Sequence, residues 1–220
     1  MKNGNMIHLL LILTFFQSPD TGKRADATYT HDTVSPLASY SVQWNDPKYA
    51  VCNTAVSASY MTSTEKEIIY ILNLVRIDPT LFCETVLKAY PNSKEEMNHY
   101  TTSGYFASLV NTLLQMKSVQ MLAPDSLCFI SAYCHALRSG QTGYVGHDRT
   151  PECQKKQHFM GECCSYGLNN ALDIVIDLLI DEDIESLGHR NICLGDRYSK
   201  LGVSIQPHKE YGHDVVLDFY

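Results

Sequence analysis

Apolar residues recur at helical spacing through the middle of the chain and at strand spacing at its end. Ile68, Ile71, Leu72 and Val75 predict a helix, and Thr64 with Glu67 ahead of them reads as a capping box that satisfies orphan N–H groups at its start. Asp78 and Pro79 end that helix and begin another over TLFCETVLKAY. Residues 91–102 are polar and loop-like. A third helix is expected through YFASLVNTLLQM, and a fourth from near Pro124 and Asp125, with Leu127, Ile130, Ser131, Cys134 and Leu137 on one side and mostly core. Glycines loosen GYVGHDRTPE into loop, and GECCSYG follows as a short strand. Asn170 is a good N-cap for a helix whose Ala171, Ile174, Val175, Leu178 and Leu179 form a buried face. KLGVSIQP and HDVVLDFY then alternate apolar and polar positions around HKEYG, which predicts a C-terminal hairpin.

Helices before and between a few strands predict an α+β fold, with helices packed on a small antiparallel sheet. A length of 220 residues suits one domain, and 45% hydrophobic with 19% charged residues reads as globular. Residues 28–62 are rich in Thr, Ser, Tyr and Pro and read as an extended leader with turns that packs Trp44 on the domain proper, 63–220. Ahead of them Lys2 precedes an apolar stretch over 6–16, the length of a signal-peptide hydrophobic region and too short to span a bilayer. Ala25, Asp26 and Ala27 fit a small-residue cleavage site, and a cut nearer Ser18 fits as well. The expectation is a signal peptide over 1–27 and a secreted chain, extracellular or periplasmic, with no transmembrane segment once mature.

A net charge of -7 and a pI near 5.7, with lysines and arginines scattered, exclude nucleic acid and anionic membrane surfaces as partners. Eight cysteines suit an oxidising compartment, where some are expected to pair in a connectivity the sequence does not fix. The absence of any CxxC pair weighs against a thiolate zinc cluster.

Asp177, Asp181, Glu182, Asp183 and Glu185 crowd the C-terminus of the last long helix, where the dipole favours cations by roughly 0.3–1 kcal/mol per charge. Most of these acids are expected in water. Asp181 lies at the edge of the buried face, positioned to point along a groove. GHD at 146–148 and GHR at 188–190 each put a glycine before a histidine on an irregular segment, which frees the backbone to bring the imidazole close to another strand. The two histidines are candidates to converge. His99, His135, His158, His208 and His213 lack this setting.

Taken in order, LNLVRIDP with LF, GHD, GECCSYG, ALDIVIDLLID, LGHR, KLGVSI and VVLDF resemble the CAP superfamily in its bacterial form, the SCP-like domain of pathogenesis-related and cysteine-rich secretory proteins. The resemblance implies an α-β-α sandwich whose cavity gathers two histidines and two acids that in some members hold a divalent cation, often zinc. Carried onto this chain it implies His147, Glu162 and His189, with Asp181 as the second acid and Glu182 as the neighbour able to substitute. It also implies a small lipid, a sterol or a protein segment as ligand. A zinc-dependent hydrolase with Glu162 as general base is the enzymatic alternative, and a disulfide-hardened surface protein the structural one. Cys163 and Cys164 depart from the family by replacing the Asn and aliphatic residue after its Gly-Glu pair, and Cys193 lies just after GHR. Cys153 and Cys193 are therefore expected each to bridge one member of the vicinal pair.

Overall fold

The computed structural model describes residues 34–93 and 95–220, so the signal-peptide expectation for 1–27 lies outside the described residues. The described part of the leader is not extended. It winds into 3-10 turns over Val42–Asn45 and Pro47–Cys52, with Trp44 and Tyr49 buried. The Trp44 indole N–H donates to the Thr85 hydroxyl at 3.0 Å and the Tyr49 hydroxyl to the Asp78 carboxylate at 2.6 Å.

Helix α1 spans Ser63–Ile77, and its capping box sits two residues earlier than expected: the Glu65 N–H donates to the Thr62 hydroxyl, and the Thr62 N–H donates to the Glu65 carboxylate. Three successive Ser or Thr residues can all cap; the choice is tertiary, because Glu65 also accepts the Ile205 N–H at 2.8 Å. Helix α2, Pro79–Phe82, widens into a π turn over Cys83–Leu87. Helix α3 is Gly104–Gln115, capped by Ser103. Strand β1, Ala123–Pro124, leads into α4, Ser126–Thr142, which Asp125 caps and Gly143 ends in the left-handed conformation glycine favours. Then come α5, Pro151–Gln154; β2, Gly161–Tyr166; α6, Ala171–Ile180, capped by Asn170; and α7, Gly188–Leu194. Strands β3, Lys200–His208, and β4, Gly212–Phe219, form the terminal hairpin.

The fold is α+β. Its sheet runs β1-β3-β4-β2 and is mixed, since the short β1 lies parallel to β3 while the other pairs are antiparallel. Alternation divides the two faces. Leu201, Val203, Val215, Leu217, Phe219 and Cys163 pack into the large core with α1 and α6, whereas Val216 and Cys164 pack against Ala132 and Ala136 of α4. Among the expected core residues of α4, Leu127 and Ile130 are instead 54% and 46% exposed. The helix lies too close to the sheet for them: a Cβ on Gly202 would overlap the backbone of Cys128 and Phe129, and one on Gly140 the carbonyl of Pro207. Only the side of α4 lined by small residues, such as Ser131, Ala132, Ala136 and Ser139, fits such an approach.

Candidate functional site

His147, Glu162, Asp181 and His189 meet at the free edge of β2. Glu162 projects from the α4 face of that strand, paired in register with Asp218. His147 reaches it from the loop between α4 and α5, where Gly146 has φ +134°, a conformation L side chains rarely adopt. Gly146 is held on both sides: its N–H donates to the Tyr166 hydroxyl at 2.9 Å and its carbonyl accepts from His135 Nε2 at 3.0 Å. The His147 Nδ1 then lies 2.8 Å from Glu162 Oε1.

Asp181 ends α6 in the left-handed region, as do Asp183 and Leu187 in the turn that follows. For non-glycine residues this costs of order 1 kcal/mol each and needs outside support. The support is the Asp181 carboxylate, which reaches forward to the start of α7. Its Oδ2 accepts from the backbone N–H groups of His189, at 2.9 Å, and Arg190, and its Oδ1 lies 2.7 Å from His189 Nδ1. An acid misplaced at the end of one helix is thus well placed at the beginning of the next. Arg190 supplies the missing cation at the end of α6, donating to the carbonyls of Leu179 and Ile180 and, across to α3, to the Ser108 hydroxyl and the Tyr105 carbonyl. Glu182 turns away, its carboxylate accepting from Ser103 at 2.7 Å, so it does not stand in for Asp181.

The two imidazole rings have centres 6.1 Å apart. A carboxylate can only accept, so each Nδ1 donates, and each neutral ring then carries its lone pair on Nε2. Among the described residues no hydrogen bond occupies either Nε2. With an imidazole nitrogen about 2 Å from an ion and the ring centre about 1 Å beyond, two rings on one tetrahedral ion have centres about 5 Å apart. At 6.1 Å the pair stands about 1 Å wider than that, a gap that side-chain rotation on binding would have to close.

Sequence reasoning missed the buried charges behind this edge. The Arg149 guanidinium contacts Glu162 Oε2 and both oxygens of Asp218, at 2.9 and 3.0 Å. One guanidinium serves two buried carboxyls. Burial would raise the Glu162 pKa, but the His147 hydrogen bond and the charges of Arg149 and His135 outweigh it and hold the carboxyl below its usual range. Asp218 bears the remainder: burial pushes it up to about 8, with the Glu162 charge adding to the shift. His147 is raised by its bond to Glu162, and His135 is lowered by burial. A signal for Asp218 was present, since it falls on the α4-facing parity of VVLDF; Arg149 gave no pattern beyond standing two residues after His147.

Two tighter groups of potential ligands exist among the described residues: His135 with Glu162 and Cys164, and Asp125 with Cys128 and His158. The first is poorly suited to a cation. His135 Nε2 must donate to the Gly146 carbonyl, and Glu162 is engaged by His147 and Arg149. A groove of about 710 Å³ runs between Ser103, Tyr105, Glu182, Glu185 and Leu187, and none of the four site residues lines it.

Neither expected bridge to the vicinal pair is present. Cys153 is bridged to Cys134, across the contact between α5 and α4, with Cα atoms 5.4 Å apart. Cys163, Cys164 and Cys193 are free and buried. As alternation requires, the vicinal cysteines face opposite ways: Cys164 toward His147 at 3.7 Å, and Cys163 toward Cys193, with sulfurs 4.0 Å apart. That gap is about twice a disulfide bond length. No family model, no curated protein and no solved structure matches this chain.

Proposed function

We infer that this chain is a secreted CAP-type domain whose cleft binds a divalent cation, zinc by the chemistry of its donors, through the Nε2 atoms of His147 and His189. Glu162 and Asp181 act from behind, each holding a ring by its Nδ1, which leaves the Nε2 lone pair for the ion. The observation that carries the reading is this doubled arrangement, two imidazoles 6.1 Å apart at one sheet edge, each backed by a buried carboxylate. Helices on both faces of the sheet agree with the sandwich that the resemblance implies. Two histidines leave further coordination positions for water and for a ligand, and a small lipid, a sterol or a partner segment is the class implied. Secretion rests on the apolar stretch over 6–16 and on the Cys134–Cys153 bridge, which persists best in an oxidising compartment.

Binding is favoured over hydrolysis because Glu162 has no free oxygen: one faces His147 and the other Arg149, and its depressed pKa makes it a poor base. Histidine-selective NMR during zinc addition tests the reading. The Nε2 signals of His147 and His189 should shift while both Nδ1 protons remain. Unmoved Nε2 signals at saturating zinc would sink it.

A further inference from the structure

Asp125, Cys128 and His158 gather where the N-terminus of α4 meets the loop leading into β2, and none of them belongs to the four residues at the β2 edge. We propose that they form a second metal site, for a thiophilic divalent cation such as zinc, with one thiolate, one carboxylate and one imidazole as ligands. Their ligand atoms all lie within 4.8 Å of one another. Ligands on one tetrahedral zinc stand about 3.5 Å apart, so small side-chain rotations bring all three into range.

Each ligand is already oriented. Asp125 caps α4 through Oδ1, which accepts from the N–H groups of Leu127 and Cys128 at 2.9 and 3.0 Å, while its Oδ2 faces Lys200. Cys128 lies three residues after Asp125, on the same side of the first turn, and is fully buried. His158 stacks on Tyr220 with ring centres 4.5 Å apart and planes 9° from parallel, and its backbone N–H donates to the Ser131 hydroxyl at 3.0 Å. Asp125 and His158 are only partly buried, which leaves an entry path and room for water as a fourth ligand.

A cation already sits at this place. The Lys200 ammonium pairs with Asp125 Oδ2 at 3.3 Å and is half-exposed on a flexible stem, so it can swing into solvent when an ion arrives. Without a divalent ion the thiol stays protonated: burial and the Asp125 charge push its pKa up to about 12. On binding, the thiol proton is released to solvent and the sulfur–metal bond forms with no change of oxidation state. A divalent ion with one thiolate, one carboxylate and a neutral imidazole is then electrically balanced, which suits a half-buried site.

Cobalt(II) titration of the His147→Ala/His189→Ala double variant separates this site from the cleft, because a thiolate–cobalt charge-transfer band reports Cys128 and the cleft imidazoles are gone. The band is expected to rise to a plateau at one cobalt per chain, to vanish with Cys128→Ser, and to need at least about tenfold more cobalt with His158→Ala. His158→Ala removes a partly exposed ring, so its effect does not rest on a refolded core. No band at equimolar cobalt, or one that survives Cys128→Ser or is unmoved by His158→Ala, overturns the proposal and leaves the cleft reading untouched.

Discussion

Glu162 carries two contacts, the Nδ1 proton of His147 on one oxygen and the Arg149 guanidinium on the other. The first contact raises the His147 pKa. Protonated His147 therefore contributes stability that is fully present below the unfolded value of about 6.5 and is lost as pH rises through the higher folded value. Zinc competes with the proton that His147 gains on Nε2, so its affinity should begin to fall at a pH above the ordinary histidine range. Glu162→Gln is expected to bring the His147 midpoint back down in an NMR titration; an unchanged midpoint would assign the shift to something else. The second contact sets up an asymmetry. Arg149→Met leaves the Glu162 charge buried without its partner and should cost about 3–5 kcal/mol in urea unfolding, whereas Asp218→Asn, at a carboxyl pushed up to about 8, should cost less than about 1 kcal/mol at pH 7. Equal losses from the two variants would contradict this division of charge.

At the scale of elements, the joint between α6 and α7 presents His189 through a turn with three left-handed non-glycine residues, and side chains hold it in place. The acidic end of α6 was legible as an oddity in the sequence, and Asp181 was legible as the acid that differs. That it caps the following helix was not legible, because the cap depends on a left-handed Leu187 that no residue pattern announces. The faces of α4 failed for a similar reason: spacing finds a helix, but how closely it lies on the sheet is decided by Gly202 and Gly140. β2 and α7 approach each other at Cys163 and Cys193. Closing that pair requires a two-electron oxidant such as a small disulfide, which is reduced to thiols as the Cys163–Cys193 bond forms. Non-reducing peptide mapping should find Cys134–Cys153 at once and Cys163–Cys193 only after treatment with oxidised glutathione. Bridging of Cys164 to Cys193 instead would contradict the strand register. Loss of the Cys134–Cys153 bridge, which closes a loop of sequence separation 19, should cost about 3 kcal/mol.

Over the whole molecule, the helices, the hairpin and the two glycine-histidine segments were readable in sequence because each rests on local periodicity or turn chemistry. The buried network of Arg149, Glu162 and Asp218 was not, since it joins a loop to two strands distant in the chain. The central claim is that the sheet edge brings His147 and His189 to one ion. Zinc calorimetry in a Cys128→Ser background, which silences the second site, tests it most directly. One zinc per chain is expected, with His147→Ala and His189→Ala each weakening it by 10-fold or more, on the order of 1.4 kcal/mol or above. Zinc binding that persists unchanged in both histidine variants, or no binding at all in that background, would contradict the account.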